Sequence, residues 1–252
     1  MNAPEIRIIG LPGLPIITAG ADLAALIDDA AMAAGVGLCA GDILVVTQKI
    51  VSKAEGCLIH LADITPSALA EQYAAQWDKD PRNVEVVLRQ SRRIVKMDRG
   101  VIITETHHGF ICANAGVDQS NIEGEDVVAV LPPDPDASAR TIRQGLRERL
   151  GIDVAVIISD TFGRPWREGL VNVAIGLSGI EAIKDYTGMH DAQGYELRVT
   201  ALAVADELAA TAELVMNKLD NMPVAIIRGY DYPHGEGNLA RLIRDPQRDL
   251  FR

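Results

Sequence analysis

No run of about 18 uninterrupted apolar residues occurs in this chain of 252 residues, so no segment reaches the length that a bilayer-spanning helix needs. Residues 1–9 lack the basic start and apolar stretch of a signal peptide, and a cytoplasmic location is the expectation. Cysteine is scarce. Cys39, Cys57 and Cys112 are odd in number, far apart and without a CxxC pair, which excludes a disulfide framework and a structural zinc site and leaves them as ordinary buried thiols. Basic residues are outnumbered, 24 Lys and Arg against 35 Asp and Glu, and the formal charge of −11 disfavours attraction to nucleic acid or an anionic membrane. An anionic substrate would need cations gathered locally. Three familiar sites are also missing: there is no GxxxxGK[ST] phosphate loop, no GxGxxG dinucleotide turn and no HExxH zinc helix. The histidines, His60, His107, His108, His190 and His234, lack zinc-like spacing and read as solvated or core residues.

What is present is an apolar fraction of 48%, enough for a sizeable core, in a chain that fits one large unit over 1–252 or two intertwined subdomains. The seam between them would lie near 131–138, where prolines and aspartates make a rigid connector. Residues 6–9 read as a strand, 10–15 as a Pro- and Gly-punctuated loop, and 21–34 as an Ala-rich helix. The β-branched run 42–47 reads as a strand that delivers Gln48, Lys49 and Lys53 to a loop. Helical spacing covers 67–77 and 82–88, and hairpins are expected over 93–122. Ser138 is placed to cap a helix over 139–150. Residues 153–159 (DVAVIIS) form the best buried-strand candidate, ending abruptly at Asp160. Ala201, Ala205, Leu208, Ala212, Val215 and Leu219 keep a helical stripe, and 223–227 reads as another buried strand. The mixture predicts an α+β class with mixed sheets and flanking helices.

Three segments carry candidate chemistry. Asp160 and Thr161 stand at the mouth of a buried strand with Arg164 and Arg167 just beyond, a set that suits Mg2+ or Mn2+ and phosphate. The same residues could equally be a turn cap and surface cations. Asp118, in the polar run 114–121, would complement Asp160, because magnesium takes one or two carboxylates plus substrate phosphates. A local turn in which Asn114, Asp118 and Asn121 satisfy backbone is the plainer alternative. In the third segment, 47–56, Lys49 or Lys53 could neutralise phosphate or simply be solvated.

Taken in order, LPII at 14–17, TQKIVSKAEG at 47–56, NAGVDQSN at 114–121, LPPDPDASA at 131–139 and SDTFGRPWREG at 159–169 resemble the coenzyme F420-0:γ-glutamyl ligase family. The resemblance continues through AIGLSGIEAIKDYTG at 174–188 and VADELAATAELVM at 204–216. It implies a GTP-using ligase that joins L-glutamate to the carboxylate of coenzyme F420-0, with or without γ-linked extension, and an acyl phosphate between the two steps. It implies a homodimer with an unusual mixed fold, two divalent ions (Mg2+ or Mn2+) and an accompanying K+. By resemblance, Asp118 and Asp160 would ligate one ion and Thr161 a second. Leu14, Pro15, Ile16, Ile17, Gln48, Lys49, Lys53 and Asn121 would contact the nucleotide, with Lys53, Asp160 and Arg164 as the catalytic set. A nucleotide-contacting segment aligns with 216–222, where Lys218 stands at a position that offers a metal ligand in relatives; a protonated ammonium cannot ligate a cation. A related ligase for another carboxylate and a non-catalytic GTP-binding protein are the competing readings.

Overall fold

The computed structural model describes residues 3–119 and 126–250. The chain opens with strand β1 (Arg7–Gly10) and helix α1 (Leu23–Ala33), whose N-terminus is capped by the Asp22 carboxylate accepting from the Ala25 amide at 3.0 Å. Strand β2 (Ile43–Thr47) runs directly into helix α2 (Gln48–Ala54). Gln48, Lys49 and Lys53 thus lie on a helix rather than in the expected loop: after Thr47 the sequence QKIVSKA has no glycine or proline to break it. Strand β3 (Leu58–His60) precedes helices α3 (Ala68–Trp77) and α4 (Pro81–Arg89), the second started by an Asp80 cap and a proline in its first turn. Strands β4 (Ser91–Asp98), β5 (Val101–Thr106) and β6 (Ile111–Ala113) form an antiparallel meander over 91–113, overlapping the stretch 93–122 where hairpins are expected; residues 120–122 of that stretch lie outside the described residues.

Strand β7 (Val127–Ala129) pairs with β3 and leads to helix α5 (Pro135–Leu150). This helix starts four residues earlier than expected. Its cap is Asp134, whose Oδ1 accepts from the Ala137 amide at 2.9 Å, and Pro135 suits the first turn because it has no amide to leave unpaired. Ser138 is buried inside the helix, its hydroxyl donating to the Asp134 carbonyl.

Strands β8 (Ala155–Arg164) and β9 (Arg167–Ser178) make a long antiparallel hairpin, so β8 does not end at Asp160 but carries it in mid-strand. The short strands β10 (Lys184–Asp185) and β11 (Ala201–Leu202) pair with each other. Helix α6 (Val204–Met216) and strand β12 (Val224–Arg228) complete the fold. Ala201 and Leu219 fall outside α6, which stops at Asn217, a residue with φ 50°.

The centre of the molecule is a five-stranded sheet ordered β1-β12-β2-β8-β9, in which only β2 and β8 are parallel. Strand alternation assigns its two faces. Leu44, Val46, Val156 and Ile158 pack with Ile27 of α1 and with Ile142 and Leu146 of α5 on one side. Ile43, Val45, Ala155 and Ile157 pack with Leu208, Ala212 and Met216 of α6 on the other. Both faces are covered, which explains why these strands read as continuous apolar runs. Truncating a fully buried isoleucine such as Ile157 to alanine would cost about 2–5 kcal/mol. Separate small cores lie under α3 and α4 and beneath the β3–β7 pair.

The thiols differ from expectation in one respect: Cys112 is buried and Cys57 partly so, but Cys39 is exposed. Among the described residues no helix is long and apolar enough to cross a membrane.

Candidate functional site

The parallel pair β2 and β8 ends at Thr47 beside Ser159. Carboxyl ends of parallel strands, next to antiparallel neighbours, are where open sheets leave a crevice. Here that crevice is a cavity of about 840 Å3. Leu14, Pro15, Ile16 and Ile17 line it from the loop after β1, and Gln48, Lys49 and Lys53 line it from α2. Asp118, Asp160 and Thr161 meet them there, although the two aspartates are 42 positions apart in the chain. Lys49, Lys53 and Lys218 offset Asp118, Asp160 and Glu213, so the lining holds the local cations that an anionic ligand would need in a chain of net charge −11.

Asp118 is aimed by an unusual turn. Asn114, Ala115 and Gly116 have φ of 52°, 54° and 70°, and a left-handed conformation is costly for alanine. The chain then straightens, and Asp118 exchanges both backbone hydrogen bonds with Ala129, at 3.0 and 2.8 Å, next to β7. Its carboxylate lies 2.9 Å from Lys49 Nζ. Gln48 is 2% exposed and ties α2 down: its Nε2 donates to Ser52 Oγ at 2.5 Å and to the Val130 carbonyl at 3.3 Å.

Asp160 is aimed by a bulge. The pairing of Ile158 with Gly176 is followed by Ser159 with Ala174, so Ile175 is an extra residue in β9. The shift sets Thr161 opposite Asn172, where an unbroken register would have put Val173. Thr161 Oγ1 donates to Asn172 Oδ1 at 2.7 Å, and Asn172 Nδ2 donates to Glu213 Oε2 of α6 at 2.8 Å. Lys218 Nζ closes the network, 2.8 Å from Thr161 Oγ1 and 2.9 Å from Glu213 Oε1.

Burial raises the Asp160 carboxyl to about 6; the Thr161 amide opposes this, the charge of Asp118 adds to it, and Lys218 and Lys49 oppose it less. A divalent cation between the two carboxylates would relieve both the burial and the repulsion. Among the described residues no cluster of three or more His, Cys, Asp or Glu could hold a metal. An ion held by Asp118 and Asp160 would therefore complete its shell with water and phosphate oxygens, as Mg2+ commonly does, and the donor set fits that ion. The neighbouring Cys112 thiol is pushed up to about 12 by burial and by the Asp160 charge, which makes it inert as a nucleophile.

Arg164 does not line the cavity. It sits at the β8–β9 hairpin end and donates to the Glu168 carbonyl at 2.6 Å and the Gly169 carbonyl at 3.4 Å. Asn121 lies outside the described residues. Among the lining residues that were not singled out from the sequence are Ser159, Asn172 and Glu213. Asn172 leaves a signal, being a polar residue amid the apolar run of β9; Glu213 leaves none, because a helical glutamate is usually a solvated one. Ser159 is 1% exposed, and its hydroxyl has no hydrogen-bond partner among the described residues.

Residues 13–229 match the family model described as F420-0:Gamma-glutamyl ligase. The chain is 46% identical to the coenzyme F420:L-glutamate ligase of Methanothermobacter thermautotrophicus over 250 residues, covering 98% of this chain and 99% of that one. It is 46% identical to the protein of the same name from Methanopyrus kandleri over 254 residues, covering 99% and 98%. With that from Methanocaldococcus jannaschii it shares 47% identity over 213 residues, covering 84% and 85%. With a matched model across most of the chain and relatives aligned from end to end, this chain belongs to the F420-0:γ-glutamyl ligase family.

Proposed function

We propose that the protein is a GTP-dependent ligase that forms an amide bond between L-glutamate and the terminal carboxylate of coenzyme F420-0, acting as a homodimer and able to extend the product through γ-linkages. The observation that carries the reading is the meeting of Asp118, Asp160 and three lysines in one cavity large enough for a nucleotide and a second ligand. The names of the relatives supply the glutamate and the coenzyme.

The chemistry follows from charge. A carboxylate is a poor acceptor for an amine, and transfer of the γ-phosphoryl group to it would give an acyl phosphate with a good leaving group. Attack by the glutamate amine then forms the amide and releases phosphate. A divalent ion, Mg2+ or Mn2+, held by Asp118 and Asp160, would neutralise phosphate charge so that the anionic carboxylate can approach. Lys49 and Lys53, side by side on α2, add point charges along the same wall. The apolar residues Leu14, Ile16 and Ile17 offer a surface for the flat purine. K+ remains part of the expectation with no residue on this chain assigned to it.

The test is incubation of the purified protein with F420-0, glutamate, GTP and Mn2+, followed by mass spectrometry of the coenzyme. Gain of one glutamyl unit, with GDP formed in step, is expected. An unchanged coenzyme mass in the presence of all four would refute the assignment.

A further inference from the structure

The expectation that Thr161 ligates a second divalent ion meets an obstacle in the geometry. A hydroxyl has one proton and two lone pairs, and that of Thr161 spends its proton on Asn172 Oδ1 at 2.7 Å and accepts from Lys218 Nζ at 2.8 Å. The Glu213 carboxylate, linked to it through Asn172 and Lys218, already accepts from Asn172 Nδ2 at 2.8 Å on one oxygen and has Lys218 Nζ 2.9 Å from the other. An ion placed here would have to displace an ammonium already held by both of its best donors, against the repulsion between like charges. The residues present do not fit a second divalent cation.

The backbone is shaped to put the ammonium there. Helix α6 ends at Met216, and Asn217, at φ 50° and ψ 178°, turns the chain out of the helical path. Lys218 follows at once and reaches back past the last helical turn to Glu213. Across the cavity, the bulge at Ile175 has brought Asn172 opposite Thr161, which completes a closed ring of four side chains. Two of the three ammonium protons are engaged at 2.9 Å or less, while Asn172 Oδ1 lies farther off at 3.5 Å. The third proton is available to a phosphate oxygen in the cavity that Lys218 lines.

We propose that Lys218 is a tethered cation standing in for a second metal, so that this chain works with one divalent ion per active site and a lysine supplying the other positive charge. The proposal rests on the GTP-dependent reading of the cavity, and its test is separable from it. Mn2+ is titrated into the protein with GDP present and counted by electron paramagnetic resonance, with no coenzyme or glutamate needed.

The wild-type protein is expected to take one Mn2+ per chain beyond that bound by free GDP. Lys218→Glu, which adds a carboxylate beside Glu213 and Thr161, is expected to take two. Lys218→Gln is expected to lower kcat about 100-fold, the order of effect of losing one preorganised charge-stabilising group, with part of the loss recovered at high Mn2+. If Lys218→Glu does not fold, the wild-type count and Lys218→Gln decide. Two Mn2+ per chain in the wild type, or a Lys218→Gln protein with unchanged kcat and metal dependence, overturns the proposal. Should the counts come out as expected while F420-0 gains no glutamate, the metal assignment stands and the substrate assignment fails.

Discussion

Thr161 and Asn172 face each other across β8 and β9 with their side-chain oxygens 2.7 Å apart, and they meet only because Ile175 is an extra residue in β9. One inserted position thus converts what would be a Thr–Val contact into a polar ring that reaches α6 through Glu213. Replacing Asn172 by alanine removes the acceptor of the Thr161 hydroxyl and one donor to Glu213, leaving Lys218 as the remaining partner of both. The expected outcome is a loss of about 1–3 kcal/mol in denaturant-unfolding stability and a fall in turnover. Unchanged stability would show that the ring is incidental.

Asp160 gives a prediction about pH whose sign is opposite to that of most carboxylates. Its pKa is raised from 3.8 to about 6 in the folded chain, first by burial, so the folded state holds the proton more tightly than the unfolded state does. The contribution to stability is complete below pH 3.8, falls as pH rises through 3.8 to 6, and is level above that. Asp160→Asn cannot ionise. Without metal it is expected to be more stable than wild type at pH 7 by about 1–2 kcal/mol, a figure reduced from the full shift because the residue is not wholly buried. The difference should vanish near pH 3.5, measured as paired thermal melts in chelator. Equal melting at pH 7 would mean that Asp160 ionises at no cost in the folded protein.

Lys49 holds the Asp118 carboxylate at 2.9 Å, and a metal must compete with it. Lys49→Met should therefore tighten Mn2+ binding by about threefold to tenfold, the range of a partly exposed ion pair, while raising KM for GTP through loss of a phosphate-facing charge. Calorimetric titration and steady-state kinetics separate the two effects. Weakened Mn2+ binding in this variant would place Lys49 outside any competition for Asp118.

Ser159 is buried, its hydroxyl has no partner among the described residues, and it lines the cavity, an arrangement that stability alone does not explain. Removing an unsatisfied hydroxyl is neutral or stabilising by up to about 1 kcal/mol. Ser159→Ala is expected to fold at least as well as wild type yet lose about tenfold in kcat/KM, as one substrate hydrogen bond warrants. A variant with lower stability and normal kinetics would assign the hydroxyl to the fold.

The sheet was legible because Ile43 to Val46 and Ala155 to Ile158 are buried on both faces and read as unbroken apolar runs. The site was legible in part. Asp118, Asp160, Thr161, Gln48, Lys49 and Lys53 stand in motifs whose order carries a resemblance, and all six line one cavity. What escaped depends on tertiary geometry. The helical start at Gln48 follows a strand with no break residue between them, and the cap of α5 moved to Asp134 because Pro135 tolerates the first turn and a serine four residues on does not compete. Asn172 and Glu213 owe their roles to a bulge and a helix crossing, neither of which leaves a periodic trace. Arg164 looked chemical beside Asp160, but a ten-residue strand carries it to the far hairpin end.

The most direct measurement is a crystal of the protein grown with GDP and Mn2+, read for anomalous scattering. A single manganese peak per chain, within coordination distance of carboxylate oxygens of both Asp118 and Asp160 and touching a GDP phosphate, is the expected result. Manganese bound by only one of these aspartates, or GDP seated outside the cavity that they share, would contradict the account.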